Sequence, residues 1–164
     1  MRIRALALAD APFIVALLND PAFIRHIGDR RVRTEQEARE YLANGPIASY
    51  ASHGFGLCAV ELADSGVAIG MCGLLQRQEL PAPDLGFAYL PDYRSQGYAY
   101  EAAAAVKAYA HDVLGLDMLL AIVSPGNTAS IRLLEKLGFV FERPLRLAPE
   151  APELRLYTAR APRL

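Results

Sequence analysis

The chain has 164 residues, 53% of them hydrophobic, which is enough for one domain spanning 1–164 with a sizeable core and leaves little room for a second. Lysine and arginine together number 17 against 18 acidic residues, a formal net charge of −1. This excludes an overall attraction to nucleic acid or anionic lipid and leaves partners to be recognised locally.

From the N-terminus, "MRIRALA" alternates as a short strand, and Asp10 is placed to cap an apolar helix running to about Leu18. Asp10, Pro12 and Asn19 also interrupt any signal-like apolar core, and no stretch approaches a membrane span, so a soluble cytoplasmic protein is expected. "NDPAFIRHIGDRR" reads as a loop with a short helical piece. In "TEQEAREYLANG", Thr34 and Glu37 have capping-box spacing, and Gly45 marks the expected end of a second helix. "GFGLCAVEL" and "GVAIGMCGLLQ", joined by "ADSG", form an expected antiparallel hairpin, and "DLGFAYL" is a third strand. Cys58 and Cys72 lie in this hairpin, too far apart for a CxxC pair and without a histidine cluster, so they read as two buried thiols rather than zinc ligands.

After the turn "PDYRSQG" comes an alanine-rich helix with Ala102, Val106, Ala110 and Val113 expected on its buried face. "MLLAIVS" is then a buried strand, "NTASIRLLEKLGF" a capped helix, and "FVFERPLRL" with "ELRLYTA" two closing strands. Alternation of this kind predicts a layered α/β (α+β) domain. The turn itself is a candidate anion site, because free N–H groups at a helix start point outward at the positive end of the dipole. Ser95, Gln96, Gly97, Tyr98 and Ala99 can offer several backbone donors to an anion, and Gly97 permits positive φ and close approach. Arg94 either adds charge near that anion or is simply solvated. No GxxxxGK[ST] occurs, and no GxGxxG follows the first strand, so P-loop kinase and dehydrogenase readings fall away.

"RSQGYA" (94–99) fits the R/Q-x-x-G-x-G/A signature of the GCN5-related N-acetyltransferase (GNAT) superfamily, which the chain therefore resembles. With "LLNDP", "HGFGLCAVEL", "DLGFAYLPDYRSQGYAYEA" and "SPGNTASIRLLEKLGF" in order, the likeness covers most of the chain and is nearest the RimJ/RimL-like branch. The resemblance implies a mixed, mostly antiparallel sheet of about seven strands flanked by helices, with "DLGFAYL" splaying from its parallel neighbour "MLLAIVS" at a bulge. It implies acetyl-CoA as cosubstrate, with its pyrophosphate on the backbone donors of residues 95–99 and with backbone donors at Ala88, Tyr89 and Leu90 for the pantetheine arm and thioester carbonyl. Asn127 is a candidate for cofactor contact or a plain N-cap, two compatible roles.

The same resemblance implies direct acetyl transfer to a primary amine through a tetrahedral intermediate, with no metal and no covalent acyl-enzyme. No Gly-x-Ser-x-Gly elbow, triad pattern or metal-ligand spacing opposes this. Ser130 is the candidate for protonating or hydrogen-bonding the departing thiolate, its rival role being support of its own helix start. Asp84 is the candidate base, acting through water, its rival role being strand entry; His26 is a weaker candidate. By the same resemblance the basic run 25–33 corresponds to the acceptor side, and it either is a solvated loop or attracts an acidic substrate or shapes a peptide groove. The acceptor expected first is a protein N-terminal α-amine, then a small amine such as an amino acid, polyamine or antibiotic; a non-catalytic acyl-CoA-binding regulatory module is the alternative outside enzymes. A monomer or homodimer is expected.

Overall fold

Seven strands form one sheet in the order β1-β2-β3-β4-β5-β7-β6 in the computed structural model, which describes residues 1–162. The first three are β1 (Arg2–Ala5), β2 (Leu57–Glu61) and β3 (Ala68–Leu75), followed by β4 (Asp84–Tyr89) and β5 (Met118–Val123). β6 (Val140–Leu145) and β7 (Leu154–Arg160) close the far edge. All neighbours are antiparallel except β4 and β5. The expected hairpin and the mixed, mostly antiparallel sheet are therefore as the alternation and the resemblance led one to expect.

One sheet face carries α1 (Ala11–Leu18), α2 (Pro21–His26) and α3 (Glu35–Leu42), in a cluster that includes Ile14, Leu17, Leu42, Ala59 and Met71, whereas α4 (Ala48–His53) buries no side chain and is tied to β2 by the Tyr50 hydroxyl, which donates to the Leu57 carbonyl. The other carries α5 (Tyr98–Asp112) and α6 (Thr128–Lys136), the latter through Leu134, over Val60, Ile69, Leu119 and Tyr157. Ala102, Ala103 and Ala110 of α5 are fully covered, so their small side chains bring this helix close to the sheet. Val113 departs from the expectation: α5 ends at Asp112, and the valine beyond it is 64% exposed.

Two helix termini also differ from the sequence reading. Asp10 stands before α1 but does not cap it, because its carboxylate accepts from the Ala7 N–H at 2.8 Å and from Arg4 at 2.8 and 2.9 Å. Arg4 also meets Glu61 at 2.7 Å, so the arginine ties β1, β2 and the first helix together, and it holds the Asp10 carboxyl below its ordinary range. The second helix does start as the spacing predicts, with the Thr34 hydroxyl accepting from the Glu37 N–H at 3.1 Å. It does not stop at Gly45. A π-turn over Ala43–Ile47 contains the buried Pro46 and leads directly into α4, the wider turn accommodating a residue that has no N–H to give. The left-handed Gly54, at φ 75°, is the terminator.

The thiols are free, Cys72 buried and Cys58 half-buried; desolvation pushes both above the ordinary thiol range. No helix among the described residues is long and apolar enough to cross a membrane.

Candidate active site

Among the described residues β4 and β5 are the only parallel neighbours, and their pairing is confined to Asp84 opposite Leu120, where the Leu120 N–H reaches the Pro83 carbonyl at 3.0 Å. Past that point the strands part. The expected bulge is not what parts them: β4 keeps an unbroken six-residue register with β3, from Leu75↔Asp84 to Gly70↔Tyr89. The divergence leaves one edge of β4 without a ladder.

The ladder with β3 decides which donors line that edge. The Leu90 N–H donates to the Ile69 carbonyl at 2.9 Å, and the two-residue period turns the Ala88 N–H toward β3 as well. Of the three expected backbone donors, Ala88 and Leu90 are thus committed to the sheet, while Tyr89 faces the opening. The sequence reading missed Phe87, whose N–H faces the opening by the same parity. The quoted strand alone does not tell which edge is paired, so the parity was invisible until the register was known.

At the end of β4 the chain turns through a single 3₁₀ turn, Pro91–Tyr93, into the "RSQGYA" segment. Ser95 and Gly97 both have positive φ, 59° and 87°, and Gly97 is the N-cap residue of α5. The first helical bond runs from the Glu101 N–H to the Gly97 carbonyl at 3.1 Å. Among the described residues, the N–H groups from Ser95 to Tyr100 engage no backbone or side-chain acceptor of the protein, so they converge as unspent donors at the start of a 15-residue helix. A Cβ at Gly97 would meet nothing within 4 Å, so the glycine is required by its φ and not by crowding within the protein.

Arg94 is tied down while its side chain stays 39% exposed, and it lines the cavity at the turn. It donates to the buried Asp20 carboxylate, and its Nε donates to the Tyr89 carbonyl at 3.0 Å. Asp20 in turn caps α2 by accepting from the Phe23 N–H at 3.1 Å. The guanidinium thereby fastens the turn, the open edge of β4 and the start of α2 to one another.

Two cavities meet at the parted strands. One, of about 470 Å³, runs from Ser95 and Gly97 past Tyr89 and Ala99 to Asn127 and Ser130. The second, of about 370 Å³, lies beyond and is lined by Arg77, Asp84, Gly86, Ile122 and the loop ahead of β7. His26, Ile27, Phe87, Asn127 and Ser130 line both. Asn127 caps α6, its Oδ1 accepting from the Ser130 N–H at 3.3 Å, so the capping role expected for it is present. The Ser130 hydroxyl has no hydrogen-bond partner among the described residues; what supports the helix start is the serine's backbone, not its side chain.

Asp84 is the most deeply buried carboxylate described, 1% exposed, and has Arg77 Nε at 3.2 Å from Oδ1 and 3.3 Å from Oδ2. Burial raises its pKa to about 6 and wins over the opposing pull of the arginine, whose contact is through one nitrogen only. Asp84 does begin a strand, as its structural reading held, and it also faces the second cavity. Arg77 was not foreseen, since nothing in the pattern of a turn residue seven positions earlier announces the contact.

Donors for a pyrophosphate just past the end of β4, a slot where β4 leaves β5, and a raised carboxylate at the start of β4 thus lie along one strand. The acetyltransferase (GNAT) domain family matches residues 1–140, and the protein belongs to that family. It is 27% identical over 149 residues to YkkB, an uncharacterized protein of Bacillus subtilis (strain 168), covering 89% of this chain and 85% of YkkB. It is 27% identical over 145 residues to YoaA, an uncharacterized N-acetyltransferase of the same organism, covering 88% and 81%. The crystal structure of the acetyltransferase from Agrobacterium tumefaciens str. C58 superposes with a TM-score of 0.81 at 27% identity, over 97% of this chain and 90% of that one. Acetyltransferases of this family use acetyl-CoA.

Proposed function

We propose that the protein is an N-acetyltransferase of the RimJ/RimL-like kind, working in the cytoplasm, that moves acetyl from acetyl-CoA to a primary amine, first among them a protein N-terminal α-amine. One observation carries this reading: the cavity from the Gly97 turn and the cavity holding Asp84 meet at Ser130, where β4 has left β5. The unspent N–H groups at the start of α5 suit a pyrophosphate, and the opening between the strands suits a pantetheine arm. The name of YoaA supports nitrogen as the acceptor atom.

Acetyl-CoA, when bound, supplies an activated thioester carbonyl. The Phe87 and Tyr89 N–H groups face the place where that carbonyl would lie, and donors there also stabilise the charge that develops on its oxygen. Asp84, as carboxylate, takes the amine's proton through water, and the amine nitrogen attacks as the free base. An α-amine, with an ordinary pKa of about 7.7 to 8.0, needs less of this help than a lysine at about 10.4. As the new C–N bond forms and the C–S bond breaks, the electron pair leaves with sulfur, and Ser130 donates to the departing thiolate.

A panel of peptides and small amines, with release of the free CoA thiol as readout, tests the proposal. Acetylation of at least one amine class is expected. Tight acetyl-CoA binding with turnover of none would overturn it in favour of a regulatory acyl-CoA module. The thioester is already activated, so exhaustive chelation is expected to leave turnover intact; activity lost and then restored by one divalent ion would contradict this mechanism.

A further inference from the structure

A third cavity, of about 550 Å³, lies on the same sheet face beside the π-turn, lined by Tyr41, Asn44, Ser49, Ser52 and His53 among others. Arg30 and Arg77 line both it and the cavity that holds Asp84, so the two are joined through these side chains. No carboxylate lines this third cavity among the described residues. Arg77 spends its Nε on Asp84, whereas Arg30 has no acidic or hydrogen-bonding partner among the described residues. Tyr41 is half-buried; desolvation pushes its hydroxyl up, while Arg30 and Arg77 both act on it in the opposite direction, which places the phenol within the field of both guanidiniums. An irregular helical turn is kept here although a plain stop at Gly45 was available, and turns of this kind recur at functional sites.

We infer that Arg30, Tyr41 and Arg77 form an anion subsite, and that the acceptor is a primary amine carrying a carboxylate or phosphate that reaches from the Asp84 cavity into the third one. The inference rests on the amine-acetylating reading above and names its substrate class. An arginine fork and a phenol supply several donors and no acceptor charge, the chemistry that favours an oxyanion and disfavours a polyamine. Asp84 offsets the charge of Arg77, with which it pairs, so the uncompensated positive charge is that of Arg30; the other carboxylate on the second cavity, Glu153, lies exposed on the loop before β7. The amine of the acceptor is thus drawn toward Asp84 and its anionic group toward Arg30, which fixes the direction in which it enters.

The probes are two matched pairs that differ by one charge: Ala-Glu-Ala amide with Ala-Gln-Ala amide, and β-alanine with β-alaninamide. Spermidine is the cationic control. In a binding arm that needs no turnover, the N-acetylated form of each is titrated into the protein and followed by NMR. The acid of at least one pair is expected to bind at least tenfold more tightly than its amide, to perturb Tyr41, and to lose that advantage in Arg30→Gln. In the kinetic arm the same preference is expected as a lower KM with little change in kcat, weakening as salt rises. Which pair shows it separates an acidic peptide N-terminus from a small amino acid. Equal binding of acid and amide in both pairs, preference for spermidine, or an equal effect of Arg30→Gln on acid and amide would overturn the subsite. Absence of turnover alongside a tenfold acid preference in binding would uphold the subsite and count against the acetyltransferase reading alone.

Discussion

Ser130→Ala is expected to lower kcat on the order of a hundredfold while leaving acetyl-CoA affinity nearly unchanged. The serine lines both cavities where they meet, and its hydroxyl is unused within the protein, so a donor is available at the point where a thiolate would leave. A neutral thioester sulfur accepts hydrogen bonds weakly, whereas the departing sulfur is negative; the hydroxyl therefore acts mainly in the transition state, and its loss appears in kcat. The substitution also separates this role from a structural one. Asn127 caps α6 through the Ser130 backbone N–H, which alanine retains, so thermal stability should hardly move. A kcat within about threefold of the parent, measured with the acetyl-CoA affinity of the same variant, would remove Ser130 from the mechanism.

Asp84→Asn is expected to make the enzyme slower, by about a hundredfold in kcat/KM, and no less stable. The carboxyl titrates at about 6, so it is ionised and able to accept a proton at pH 7 and above and is protonated below pH 6. The log of kcat/KM, plotted against pH, should therefore bend near 6 in addition to the bend set by the acceptor amine, and Asp84→Asn should remove that extra bend. The stability sign runs the other way from the usual carboxylate. Because the folded value lies above the ordinary 3.8, the group stabilises the fold fully below pH 3.8, and that contribution is lost as pH rises through about 6. Keeping it ionised at neutral pH costs about 3 kcal/mol. Asparagine can still accept from Arg77 without bearing the charge, so the variant should melt at the same temperature or higher at pH 8. A pH profile identical to the parent's would leave Asp84 as a strand-entry residue only.

Much of this site was legible before any coordinates, because it is built from contiguous backbone. The turn before α5 announces itself through Gly97 and the alanine-rich run after it, and Asn127 with Ser130 lies at a spacing that a capped helix demands. Contacts that depend on register or on distant pairing were not legible. Whether Ala88 or Phe87 presents its N–H to the opening depends on which edge β3 occupies, and no property of the strand's own residues encodes that. Arg94 finding Asp20, and Arg77 finding Asp84, are likewise tertiary events between charged side chains that a one-dimensional pattern leaves free to be solvated. At Gly45 local propensity predicted a stop, and the wider π-turn carried the chain onward to Gly54; Pro46 is buried in it, and the Tyr50 hydroxyl, which accepts from the Leu6 N–H and donates to the Leu57 carbonyl, ties α4 to β2.

The central claim is that the turn at Gly97 and the opening between β4 and β5 hold acetyl-CoA. It is tested most directly by calorimetric titration of acetyl-CoA into the protein and into Gly97→Val. Valine disfavours the φ of 87° on which the donor nest depends, and its branched side chain would stand where phosphate oxygens approach. Saturable binding to the parent and at least tenfold weaker binding to the variant, about 1.4 kcal/mol, is the result predicted. Unchanged affinity in a variant that retains its fold would contradict it.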